Sequence, residues 1–344
     1  ISGQFYMRSS GKYTFVETFQ YFKGKWYDFF GVLLDKLEIC WPWNVRSMDA
    51  MMIIFHHIFY DHDDKRLWKS MVLLIQILFL FQHPYIFPLY DIDFTQGSDH
   101  VVFTMIFNRY GSLKDLIYKD EYQNKYGTKG KGLSLTEIKT FGLQILTGLM
   151  FLAEKGFPKF KQLHTGNIMV QNGVCRLTGL ENTFLGFQSK LHPIIKKKIK
   201  RDKNAVDSVC FGHVMFEMAA GYELDVGHPQ PIHLMDCHNN VIKVVLNLIF
   251  EEDNYPTIKE IANHEFFNDT RLPELKAFNP APVNFTTNMK ALLKAAKSGK
   301  PTNSCHSKTL YLFAFMRKKS SSLKGTLLAT FLHSVSKRCP LAIL

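Results

Sequence analysis

With 344 residues, 46% of them hydrophobic and 21% charged, the chain has room for one large two-lobed domain or two ordinary ones and is too apolar to be a disordered or fibrous protein. Six cysteines at 40, 175, 210, 237, 305 and 339 show no CxxC spacing, which argues against a zinc site or a disulfide framework and fits a reducing compartment. The net charge of +12 belongs to the C-terminal end: no Asp or Glu follows Glu274, twelve Lys and Arg do, and the first 274 residues hold thirty charges of each sign.

The chain opens on Ile1 rather than Met, as a fragment or an incomplete gene model would, and no cleavable signal pattern opens it. Residues 13–60 are rich in aromatic and β-branched side chains and predict strands. Residues 63–81 predict a helix. Its apolar run from Met71 to Phe81 is interrupted by Gln76 and followed by His83-Pro84, and it falls short of the roughly 20 residues that a bilayer needs, so it reads as a buried helix. His56, His57 and His62 have no carboxylate or cysteine at ligand spacing and read as ordinary strand and loop histidines. His100 to Phe107 predicts a buried strand, and Ser112 to Tyr118 a short helix after a glycine turn.

A longer helix follows. Ser134 and Glu137 form a capping box, and Ile138, Phe141, Ile145, Leu149 and Leu152 repeat at helical spacing up to Lys155-Gly156. Ile168 to Val170 and Val174 to Leu177 predict a hairpin around Gln171-Asn172-Gly173. Helices are expected at 205–221, 237–251 and 257–266, and a linker over 270–303. The fold class is α+β: a strand-rich N-lobe over 1–107, a larger helical C-lobe over 108–270, and a basic linker and tail, partly disordered, over 271–344.

Gln162 to Leu185 (QLHTGNIMVQNGVCRLTGLENTFL) is the informative stretch. It places a loop ending in Asn, a short strand, a tight turn, a second strand and a three-residue break after a long helix. That is the layout of a protein-kinase catalytic loop and metal-binding loop. Other landmarks stand in kinase order: Gln82-His83-Pro84-Tyr85-Ile86, Asn108 to Leu113, Asp207 to Gly212 with Phe216-Glu217-Met218, Tyr255-Pro256-Thr257, and His264 to Phe267. Together they predict a two-lobed protein-kinase-like fold.

The chemistry does not match the layout. Phosphoryl transfer needs a carboxylate beside the attacking hydroxyl, metal ligands, and a lysine held by a glutamate. Five residues before Asn167, the base position is Gln162, whose amide cannot take a proton near neutral pH. The loop lysine position is His164. The metal-binding aspartate position is Gly179. No lysine occurs near Phe55 or His56, its glutamate partner falls at Leu74, and Gly24 and Gly31 are isolated rather than part of a phosphate loop. Glu181 stands two places late, either as a displaced ligand or as an ordinary carboxylate. Asn167 fits a structural role in the loop and stays open, with Glu181, as a cofactor contact. Asp207 is expected to accept hydrogen bonds from catalytic-loop amides.

Leu163 to Met169, Val174-Cys175-Arg176-Leu177 and Leu180 to Gly186 resemble the kinase-like domains of the family that holds the slowpoke-binding protein and the PX-domain-containing kinase-like protein. The likeness covers about Tyr13 to Lys297. No PX-like segment precedes it here, which favours the slowpoke-binding branch. The resemblance implies a pseudokinase without ATP or magnesium, acting as an adaptor or scaffold. It implies a calcium-activated potassium channel's cytoplasmic region and 14-3-3 as partners, and a cytoplasmic location, peripheral at the plasma membrane through those partners. Nucleic acid is not expected. Ser320, Ser321 and Ser322 after Arg317-Lys318-Lys319 are candidate phosphorylation sites for a 14-3-3 groove. Two alternatives stay open: an atypical active serine/threonine kinase that uses displaced metal ligands, and a basic tail that binds acidic membrane or actin in trafficking.

Overall fold

The computed structural model describes residues 76–298 apart from 95–99, 107, 109, 120–128, 186–188, 201, 253 and 280–283, with Leu73 and three earlier strands; most N-lobe strand side chains are not described. Leu74, His62, Gly24 and the serines 320–322 lie outside the described residues, as do the side chains of Phe55, His56 and His57.

The N-lobe strands are β1 (Thr14–Thr18), β2 (Phe29–Leu33), β3 (Met51–His57), β4 (Leu89–Phe94) and β5 (His100–Ile106). They form one sheet in the order β1-β2-β3-β5-β4, with every pairing antiparallel. The third strand lies mid-sheet, with Phe55 opposite Val102 and His56 opposite Val101. Strand β4 was not expected. Its Leu-Tyr-Asp-Ile-Asp-Phe sequence does alternate polar with apolar, as suits an edge strand with one solvated face. Residues 76–80 are helical and carry the buried Ile77 and Leu78.

Two short connections tie the lobes. The loop after that helix pairs with β7 (Val174–Leu177): Phe87 N–H donates to the Leu177 carbonyl at 2.8 Å, and Leu177 N–H to Tyr85 at 2.9 Å. Buried Asn108 donates through Nδ2 to the carbonyls of Gly111 at 2.7 Å and Val170 at 2.8 Å. One amide thereby fixes the hinge to β6 (Ile168–Gln171), the strand antiparallel to β7. The turn between β6 and β7 places Asn172 at φ 52° and Gly173 at φ 74°, the left-handed pair that an Asn-Gly hairpin requires.

Helix α1 (Leu113–Tyr118) is opened by Ser112 and Asp115, and α2 (Leu135–Glu154) by the expected box of Ser134 and Glu137. In α2, Ser134 N–H donates to Glu137 Oε2 at 2.9 Å and Glu137 N–H to Ser134 Oγ at 3.3 Å. Helix α2 is long and apolar enough to cross a membrane, but its Ile138, Phe141, Ile145, Leu149 and Leu152 are buried in the C-lobe core. The remaining helices are α3 (Glu181–Leu185), α4 (His192–Lys198), α5 (Val206–Ala220), α6 (Pro231–Met235), α7 (Asn240–Ile249), α8 (Ile258–Ala262) and α9 (Thr287–Ser298). Every residue of α5 is buried, so it is the axle on which α2, α4, α7 and α8 pack.

The linker expected over 270–303 needs correction. Helix α9 buries Met289, Leu292 and Leu293 in the same core, and Phe285 and Phe278 meet the rings of Phe81 and His83 at 6.0 and 5.1 Å. Tyr85 Oη donates to Glu274 Oε2 at 2.9 Å. The packed unit therefore runs to Ser298, because an apolar face inside a lysine-rich helix outweighs the composition of its solvated side. Cys175, Cys210 and Cys237 are free and buried; burial pushes all three thiols up, that of Cys237 to about 11.

Candidate functional site: a kinase cleft without its carboxylates

The loop from Phe157 to Asn167 is anchored before any chemistry is asked of it. Phe157, Phe160 and Leu163 are buried. Phe157 sets its ring edge-on against Phe81 at 5.3 Å and Phe184 at 5.4 Å. Phe160 N–H donates to Asp207 Oδ1 at 2.8 Å, and Lys159 stands 3.5 Å from Oδ2. Burial raises the Asp207 carboxyl pKa, and Lys159 with the Phe160 amide act against that rise. Asp207 thus receives a catalytic-loop amide, as its position in the sequence suggests.

Gln162 is buried, at 4% exposure. Its backbone carbonyl accepts from Asn167 Nδ2 at 2.9 Å, while Asn167 N–H donates to His164 at 2.9 Å and its carbonyl accepts from Thr178 at 3.0 Å. Asn167 therefore closes the loop on itself and joins it to the strand that leads to Gly179.

Gly179 has φ +76°. A Cβ there would lie 2.9 Å from Asn182 Nδ2 and 3.1 Å from Asn167 Nδ2. The position where a kinase carries its metal-binding aspartate has lost its carboxylate, and two amides crowd the room a side chain would enter. Asn182 is itself buried, and its Oδ1 has no hydrogen-bond partner among the described residues. Glu181, the displaced candidate ligand, opens α3 and is 3% exposed. Among the described residues no three His, Cys, Asp or Glu side chains come together as a metal ion would require.

A second cluster was missed in the sequence. Half-buried His164, at the loop lysine position, lies near Lys114 of α1; burial, then Lys114, lowers its pKa to about 4, so it is a neutral imidazole. Lys114 Nζ is 2.6 Å from Glu223 and 3.7 Å from Glu217, and Lys190 reaches Glu223 at 2.9 Å. Thr165 Oγ1 donates to Glu217 Oε2 at 2.8 Å. Burial raises the Glu217 carboxyl; it raises that of Glu223 too, but the two lysines more than offset it and leave Glu223 below its usual value. The available signal was Glu217 itself: a glutamate in the mostly apolar run VMFEMAA that closes this helix demands a partner.

The fold and the site together define a pseudokinase, a protein-kinase-like chain without a carboxylate at the base or magnesium positions. Comparisons with known proteins specify the group. The chain is 34% identical over 254 residues to the slowpoke-binding protein of Drosophila melanogaster, covering 68% of this chain and 49% of that one. It is 40% identical over 161 residues to the PX domain-containing protein kinase-like protein of Mus musculus, over 44% of this chain and 27% of that one. It is 31% identical over 296 residues to the probable inactive serine/threonine-protein kinase slob2 of Dictyostelium discoideum, over 80% of this chain and 48% of that one. The chain belongs to this family of kinase-like proteins, and it spans about half the length of the fly and Dictyostelium relatives and about a quarter of the mouse one. A solved structure of Rad53 residues 1–466 with AMP-PNP aligns at TM-score 0.55 and 15% identity, over 74% of this chain and 65% of that one, a likeness of fold alone. No protein-family model matches.

Proposed function

We propose that the chain is a catalytically silent adaptor that uses its kinase fold to bind and modulate a membrane protein. The observation that carries this is the crowding of Gly179 by the amides of Asn167 and Asn182, with Gln162 at the base position. Neither position carries a carboxylate to hold magnesium or to steer an alcohol. A fold that keeps its interlobe bonds, its loop anchor Asp207 and its core while losing these groups is one whose surface is in use.

The name of the fly relative, slowpoke-binding protein, supports an ion-channel partner. We take a calcium-activated potassium channel's cytoplasmic region as that partner, met at the cytoplasmic face of the plasma membrane. The tail serines Ser320, Ser321 and Ser322, once phosphorylated, are the proposed contact for 14-3-3.

The test is a pull-down of the full chain against the channel's cytoplasmic region, run beside a radiolabelled-ATP assay. Expected are capture that is indifferent to ATP and magnesium, and no transferred label. Label transfer that disappears in Asn167→Ala would overturn the proposal and favour an atypical kinase. Loss of capture on deleting 300–344 alone would assign the binding to the tail.

A further inference from the structure

The charge balance of the first 274 residues hides a local excess. Between Lys190 and Lys203 there are seven cations, Lys190, Lys196, Lys197, Lys198, Lys200, Arg201 and Lys203, and one acid, Asp202. Asp202 is engaged locally, accepting the Asn204 N–H at 2.8 Å. Lys190 and Lys198 are paired, with Glu223 and Glu252. Lys196, Lys197 and Lys200 are exposed and have no ion pair among the described residues. They lie on α4 and the turn that follows it.

Beside them is an apolar surface that the core does not use. Helix α6 has no buried residue, and Ile232 and Met235 are 67% and 72% exposed. Val241 and Val244 of α7, 50% and 61% exposed, follow within nine positions of Met235 in the chain. These four make up all but one of the exposed large hydrophobic side chains among the described residues, the other being Tyr110. Their concentration within thirteen positions of chain is what a contact surface requires.

One contact links the basic helix to the chain that leads into the apolar one. A Cβ on Gly227 would lie 3.1 Å from Lys198 Cβ, so the loop leading into α6 rests on the end of α4. Ile232 is five positions beyond Gly227, a span of at most about 18 Å. The neighbouring acids do not neutralise the free lysines. Glu252 holds Lys198, and Asp236 holds Lys129 and Tyr222.

We infer that α4 and α6 form one docking surface for an acidic, amphipathic segment of a partner protein, its apolar side chains against Ile232 and Met235 and its carboxylates against Lys196, Lys197 and Lys200. Charge complementarity selects an acidic occupant. A bilayer is the competing anionic occupant, and the vesicle arm of the test separates it from a peptide segment. The surface lies outside the degenerate cleft and does not depend on the identity of the partner.

The test pans a phage-displayed library of random peptides, about 16 residues each and so long enough for four helical turns, against the full chain at near-physiological salt. Enriched peptides are expected to carry Asp or Glu with apolar residues at helical spacing. Their binding is expected to fall about tenfold or more in K196E/K197E/K200E and, separately, in I232D/M235D. A thermal melt checks that each variant folds, and I232A/M235A replaces the aspartate pair if that one does not. Enrichment of neutral or basic peptides, no enrichment, or acidic peptides that bind every variant as they bind the parent would overturn the inference, the last assigning them to the basic tail. Vesicles of phosphatidylcholine with about 30% phosphatidylserine form the second arm. Binding there that both variants abolish, with no peptide enriched, would make a lipid surface the occupant and overturn the inference as well.

Discussion

Asn167 holds the backbone carbonyl of Gln162 through its own side-chain amide, at 2.9 Å. Two residues named for chemistry in an active kinase are here joined by a bond that shapes the loop. Replacing Asn167 with Ala removes that donor and leaves a carbonyl short of a partner. We expect a loss of about 1–2 kcal/mol in chemical denaturation, with ATP and magnesium leaving the melting temperature of either protein unchanged.

Gly179→Asp restores the missing carboxylate by formula only. The new Cβ meets Asn182 and Asn167 at φ +76°, and a side chain in the left-handed region under crowding costs roughly 1–3 kcal/mol. The expected outcome is a less stable protein, read from the denaturation midpoint, that takes up no magnesium in isothermal titration, alone or combined with Gln162→Asp.

Lys114 is the cation that compensates Glu217, which is 3% exposed. Lys114→Met should destabilise the fold by about 3–5 kcal/mol, because it strands a buried carboxylate. Changing Lys114 and Glu217 together to Met and Gln should recover much of that loss, and a double-mutant cycle reads the coupling directly.

His213 supplies a pH dependence. It is 3% exposed, it meets the Phe250 ring at 5.6 Å, and burial pulls its pKa from 6.5 down to about 4. A group whose folded value is depressed binds its proton more tightly in the unfolded chain, so its contribution is full above 6.5 and is lost as the pH falls toward 4. The slope of stability against pH in that window should lessen by up to about 1.4 kcal/mol per pH unit in His213→Gln. Urea titrations at a series of pH values measure it.

Helix α9 gives the fifth test. Leu292→Ala should cost about 2–4 kcal/mol if the helix belongs to the core, and Tyr85→Phe about 1 kcal/mol through the lost bond to Glu274. Truncation at 270 should expose Phe81 and His83 and lower the melting temperature.

Much of this architecture is legible in the residues, for identifiable reasons. The Ser134–Glu137 box and the Asn172-Gly173 turn are local codes, complete within a few positions, and the structure has both. The Gln162, His164 and Gly179 positions follow from counting along one short loop. Strand β4 was overlooked because its two aspartates mask an alternation that only an edge position explains. Helix α9 was read as linker because three lysines and the prolines before it mask its apolar face. The Lys114–Glu217–Glu223 cluster joins positions 103 and 109 residues apart in sequence, and such pairings leave no local mark. The basic stretch at α4 vanished into a balanced total, since summing charge over a lobe discards where it sits.

The Tyr85–Glu274 bond and the burial of α9 also fix a point of departure. Whatever follows Ser298 leaves from a helix seated in the core, and the stretch before that helix touches Phe81, His83 and Tyr85 where the two lobes meet. A load applied to the chain beyond Ser298 therefore meets Met289, Leu292 and Leu293 in the core first, and reaches the rings of Phe285 and Phe278 only after them.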